Sequence, residues 1–220
     1  LMMDMAVSPE TNDGIYNIAL AGIADDPADT DADTSGLGAV FRLEAGTWLT
    51  GGWVDTRTYP GWDGSGDDPV SDDDWTIWSD AVVFVDFSPN FDMDDTIVCM
   101  SVASDHDMWG NYLPFLQEGI LDSDGAWNAE AGFGDAPLQI TNEGETLLTI
   151  GARYMMAAAL PADFDGVDGS ANNICLYVNA LNVVTEEIGG YVFIAEDCAD
   201  LSMKCGPSGD PMLASIDVHG

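Results

Sequence analysis

Asp29-Thr-Asp31-Ala-Asp33 sets three carboxylates at alternate positions, the spacing by which a calcium loop brings its first ligands around one hard cation. A full EF-hand loop then requires Gly at its sixth position and Glu at its twelfth; the chain has Thr34 and Val40 there. Asp163, Asp165 and Asp168, interleaved with Gly166 and Gly169, form a second fragment of the same kind, and Asp122-Ser-Asp124-Gly125 a third. Calcium is the cofactor these spacings suggest, with Asp29, Asp31, Asp33, Asp163, Asp165 and Asp168 as its ligands. The competing reading is a solvated acidic turn, which Asp favours by bonding neighbouring backbone groups. Zinc is disfavoured, because the four cysteines lack CxxC spacing and only His106 and His219 are present.

All seven tryptophans fall between Trp48 and Trp127, several of them beside Asp and Gly. Aromatic faces next to carboxylates suit a sugar, which offers apolar ring faces for stacking and hydroxyls for hydrogen bonds. Trp62, Trp75 and Trp78 are the residues such a glycan site would use, Trp62 because it lies in an acidic stretch and reads as exposed. Trp48 and Trp53 alternate with small residues and read as buried. The plainer role for the set is packing, within the chain or between subunits.

Ser104-Asp105-His106-Asp107 is the one place where a hydroxyl, an imidazole and carboxylates adjoin. Neighbours in sequence seldom converge as nucleophile, base and orienting group, and no GxSxG, HExxH, P-loop or GxGxxG accompanies them. With forty acidic residues, a carboxylate pair within glycosidase reach arises by chance and identifies nothing. The expectation is a protein that is not an enzyme. Cys198 and Cys205 flank a short segment and are the expected local disulfide; Cys99 and Cys175 lie in apolar runs and read as buried thiols.

The medium in which such residues work is set by charge. Thirty-one Asp and nine Glu face four basic residues, for a net charge of −36. A compact body of that charge repels itself unless salt or bound cations screen it, the Debye length falling from about 10 Å at 0.1 M to about 3 Å at 1 M. A salty or calcium-rich setting is expected, and a nucleic acid or an anionic membrane is not a plausible partner for a chain with so few cations. No window approaches the roughly 18 apolar residues of a membrane helix, and the first six residues lack the basic and apolar regions of a signal peptide.

Hydrophobic residues are 46% of the chain, enough for a core in spite of the charge. The apolar runs are short, rich in Val, Ile, Tyr, Phe and Trp, and punctuated by Gly, Pro, Asn and Asp, which predicts strands. They fall at 15–21, 38–43, 47–56, 76–87, 96–103, 146–158, 174–184, 191–195 and 213–218. Helical composition occurs at 112–117 and 154–160, the latter assigned to a strand because it continues from 146–150. About nine strands and no convincing amphipathic helix predict an all-β fold: an antiparallel β-sandwich or jelly roll with long acidic loops, one domain spanning 1–220 with an acidic, Trp-rich loop insertion around 59–75.

Together these features lead us to expect a non-enzymatic structural subunit of an extracellular assembly adapted to high salt or calcium. A virion capsid or decoration protein and a cell-surface filament subunit both fit, working by self-association. The alternative is a carbohydrate-binding or adhesin module using the Trp/Asp-rich surface.

Overall fold

The computed structural model describes residues 1–24, 37–46, 52–62, 79–104, 112–122, 125–129, 137–142, 146–149, 156–166, 174–182, 187–196 and 200–205. They form an all-β body in three antiparallel sheets. The first sheet runs β1 (Met2–Val7), β2 (Tyr16–Ala24), β3 (Leu37–Ala45) and the two-residue β4 (Val54–Asp55), in that order. The middle sheet runs β5 (Ala81–Phe87), β6 (Thr96–Ser104), β7 (Tyr112–Ile120) and β8 (Ala126–Trp127), with β9 (Leu138–Gln139) also paired to β7. The third runs β10 (Thr141–Asn142), β11 (Thr146–Thr149), β13 (Ile174–Asn182), β14 (Glu187–Glu196) and β15 (Asp200–Cys205), with β12 (Met156–Ala159) pairing β13 as well. One helical turn, α1 (Phe91–Asp94), links β5 to β6 and ends at Asp95 in the left-handed conformation.

The first and middle sheets pack face to face as a β-sandwich. Their shared core takes Ala6, Ala19, Ala21 and Val40 from one side and Val85, Phe87, Ile97 and Cys99 from the other. The opposite face of the middle sheet is also covered: Val98, Met100, Val102 and Leu116 meet Met156, Ala158, Phe164, Ile174 and Val178. Burial on both faces explains why β6 is apolar almost throughout instead of alternating. It also explains how the adjacent residues Gln117 and Glu118 of β7 are both buried.

Most of the pairings described join strands consecutive in sequence, the exceptions being β7 with β9 and β11 with β13. Segment 112–117, with its helical composition, lies inside β7, held by nine paired positions against β6. Tertiary pairing overrides a weak local preference here. The expected strand 146–158 is two segments on the same side of β13. Thr149 pairs with Leu181 and Met156 with Val178, so seven steps along one strand oppose three along the other. Strand 47–56 is reduced to Val54–Asp55 among the described residues, and 213–218 lies outside them.

Candidate functional site

The first sheet carries its larger apolar side chains on the wrong side. Side chains alternate along a strand, and cross-strand partners share a face. The register pairs Ala6 with Ala19, Ala19 with Arg42 and Ala21 with Val40, which makes these the inward set. The intervening rungs pair Met5 with Leu20 and Phe41, and Val7 with Ile18 and Leu43, which makes these the outward set. Outward Met5 is 57% exposed and Val7 52%, with Tyr16 beside them at 41%. Ile18, Leu20, Phe41 and Leu43 are half-buried. A one-sided antiparallel sheet ordinarily puts its large apolar residues on the core and polar ones in water. Here alanines face the core and Met, Val, Ile, Leu, Phe and Tyr face out.

The inward face works because small residues allow close approach and the few polar groups on it are bonded. Arg42 donates from Nε to Asn17 Oδ1 at 2.8 Å, from Nη1 to the carbonyl of Leu121 at 2.8 Å and from Nη2 to Glu44 at 2.9 Å, and lies 5.8 Å from the centre of the Phe91 ring. It thus bolts β3 to α1 and to the residue following β7. Asp4 on β1 accepts the Val85 N–H of β5 at 3.0 Å, tying the two sheets at their edge. On the outward side no acidic residue occupies β1, β2 or β3. The acid on β4, Asp55, is paired with Arg57 at 2.7 Å, and that guanidinium sits 5.9 Å from the centre of the Phe41 ring. Where the outward rung is Gly22 opposite Ala39, the small residues leave a cavity of about 190 Å³ between Leu20, Phe41, Leu1 and Met2.

Trp62, expected to be exposed, is 6% exposed and packs edge-on against Trp127 with ring centres 4.7 Å apart. Trp53, expected to be buried, is 47% exposed. The reason lies in the turn 56–62, which docks onto the end of the middle sheet. Trp127 donates its indole N–H to the Thr56 carbonyl at 3.0 Å and its backbone N–H to the Pro60 carbonyl at 2.7 Å. Asn128, at φ 56°, donates to the carbonyl of Gly61 and to Gln117, which in turn donates to Ser101. Gly61, at φ 80°, has no room for a Cβ against the Trp127 carbonyl. Trp75 and Trp78 lie outside the described residues.

Asp163 is exposed and Asp165 half-buried, on either side of Phe164, which is fully buried in the core. Phe164 is the anchor of this segment. Its carbonyl accepts from Asn90 at 2.6 Å, and the next N–H but one, that of Gly166, donates to Asp94 at 3.1 Å. Gly166 is required because a Cβ would strike the Thr96 side chain. Asp94 itself is buried and also accepts from Ser88 and the Thr96 N–H, a carboxylate used as a structural knot. Among the described residues no three His, Cys, Asp or Glu groups are placed to hold a metal. Asp29, Asp31, Asp33 and Asp168 lie outside the described residues, as do Asp105, His106 and Asp107.

Cys198 also lies outside them, while Cys205 closes β15. The expected Cys198–Cys205 bridge therefore falls outside the described residues. Cys99 is buried in the core between the first and middle sheets.

Two carboxyls hold their protons more tightly than an ordinary Asp. Burial raises Asp86, helped by the nearby charge of Asp4 and opposed by the Phe87 N–H bond. Burial likewise raises Asp95, Arg42 opposes it, and Asp122, Asp94 and Asp92 add to it.

No family model, curated protein or solved structure matches this chain. Sequence reasoning missed the outward face for two reasons. MMDMAV has no turn signals within it to mark it as strand β1, and the alternation of Tyr16, Ile18 and Leu20 with Asn17, Ala19 and Ala21 points the larger set inward by the usual rule.

Proposed function

We propose that this chain is a non-enzymatic structural subunit of an extracellular assembly, on a virion or a cell surface, adapted to high salt or calcium. The observation that carries the reading is the outward face of the first sheet. An exposed apolar patch is a liability for a solitary soluble protein and an asset for one that packs against others. In a chain of net charge −36, subunits repel one another over most of their surface, so contacts must be apolar, poor in carboxylates or bridged by cations. The outward face meets the first two conditions. Arg42, whose charge could have served between subunits, is committed inside the subunit.

Light scattering and electron microscopy across a salt and chelator series test this reading. Large particles in molar salt with calcium that shrink when both are withdrawn are the expected result. A protein that stays monomeric at high concentration in molar salt with calcium overturns it. The second reading, a carbohydrate-binding or adhesin module, draws its support from Trp53, exposed at 47% beside β4, and no longer from Trp62. A monomer retained on immobilised glycans, and released by Trp53→Ala, would favour it.

A further inference from the structure

We infer that the outward face of β1–β3 is closed by the same face of a second copy of this chain, packed about a two-fold axis; the inference rests on the structural-subunit reading above.

Charge decides the occupant. A basic partner would be drawn to the forty carboxylates carried by the chain and gains nothing from a face that has none on β1, β2 or β3. An anionic bilayer is repelled by a body of −36. A second copy is repelled too, except where both partners present the same patch with no carboxylate on β1–β3, its Asp55 paired with Arg57 and Glu10 held at its rim by the Tyr16 hydroxyl, and an isologous contact does that by construction. Shape agrees. Met5 stands exposed beside Leu20 and Phe41, which with Leu1 and Met2 wall the cavity of about 190 Å³ at the Gly22–Ala39 rung. A two-fold axis between Met5 and the cavity sets the Met5 of each copy against the cavity of the other. Sheet faces stacked this way lie about 10 Å apart.

Size sets the strength. Three strands about 4.8 Å apart, two of nine residues and one of six, cover roughly 400 Å² of sheet face. That is about half the roughly 800 Å² per partner of a standard stable interface. The contact is therefore weak by itself and dissociates on dilution or when salt is removed, as suits one of several contacts in a larger array.

Methionine oxidation on the unmodified chain tests the assignment. Met5 lies on the face, whereas Met93, 82% exposed on α1, lies off it and serves as the internal control. The chain in molar sodium chloride is treated with hydrogen peroxide at low and high protein concentration, with scattering recorded on the same samples. Met5 should oxidise readily in the dilute sample and several-fold more slowly in the concentrated one, with Met93 unchanged. Assembly in which Met5 keeps pace with Met93, or in which Met93 alone is protected, places the contact elsewhere and overturns the inference while sparing the subunit reading. Scattering that shows a monomer throughout overturns both. Protection of Met5 by neutral phosphatidylcholine vesicles, but not by concentration, assigns the face to a bilayer and also overturns it. Leu20→Asp provides the orthogonal check: a folded, monomeric variant is expected, and a folded variant that assembles like the native chain contradicts the pairing. Should that variant fail to fold, the peroxide comparison decides alone.

Discussion

The two faces of the first sheet share three strands and differ in everything else. The inward one is narrow and finished: alanines pressed onto the middle sheet, with Arg42, Asn17 and Asp4 each bonded to a partner across it or beside it. The outward one holds more apolar surface yet makes no contribution to the core. The difference separates two kinds of hydrophobic surface. Small residues that let backbones approach hold the fold, and large residues left in water are available to something else. Mutations should therefore sort by face and not by residue size.

The largest contrast expected is between the two tryptophan environments. Trp127→Ala removes a fully buried ring and its hydrogen bond to the Thr56 carbonyl, and should cost about 3–5 kcal/mol, read by denaturant unfolding. Trp53→Ala, at an exposed site, should stay within roughly 0.5 kcal/mol. Equal losses would mean that the turn 56–62 is not docked as described.

Next comes the sheet itself. Ala21→Leu on the inward face forces an extra side chain between packed sheets and should cost about 1–3 kcal/mol. At roughly 2–4 °C per kcal/mol for a chain of this size, the melting temperature falls visibly. Leu20→Ala, one residue away on the outward face, should leave the melting temperature of the dilute monomer within a few degrees of the native value. A reversal of that order would place the core on the other side of the sheet.

A smaller effect should appear with pH. Asp86 has a folded-state pKa above the ordinary value of 3.8, so the folded chain binds the proton more tightly than the unfolded one. Stability then falls as pH rises from about 3.8 through the folded-state value, and is regained on acidification across the same window. Asp95 acts in the same direction. Melting temperature should be higher at about pH 3.8, the lower edge of that window, than at pH 7, and Asp86→Asn, which keeps the acceptor for the Phe87 N–H, should narrow the gap. A melting temperature flat between those two values would remove the electrostatic penalty assigned to that edge.

The all-β class was legible because short runs of Val, Ile and Phe between Gly, Asn and Asp leave few other solutions, and β2, β3, β6 and β13 fall close to where that grammar puts them. What could not be read was the sense of each face. Period-two alternation says that Ile18 and Leu20 lie opposite Ala19 and Ala21, but which set meets the core depends on how closely the middle sheet must approach, a fact of tertiary packing. Trp62 misled for a related reason. An acidic neighbourhood suggests solvent, yet the glycine before it lets the chain turn under Trp127, and the ring is buried while its sequence neighbours remain polar. The spacing of Asp163 and Asp165 also gave no sign that Phe164, the residue between them, is fully buried in the core.

The most direct test of the account is the melting temperature of the native chain in molar salt, measured across a hundredfold range of protein concentration beside Leu20→Asp. Association that involves the folded state alone stabilises it by mass action. The account predicts a melting temperature that climbs with concentration for the native chain and stays constant for the variant. A concentration-independent melting temperature in the native chain, or an equal climb in both, would contradict the claim that the outward face of the first sheet is where copies of this protein meet.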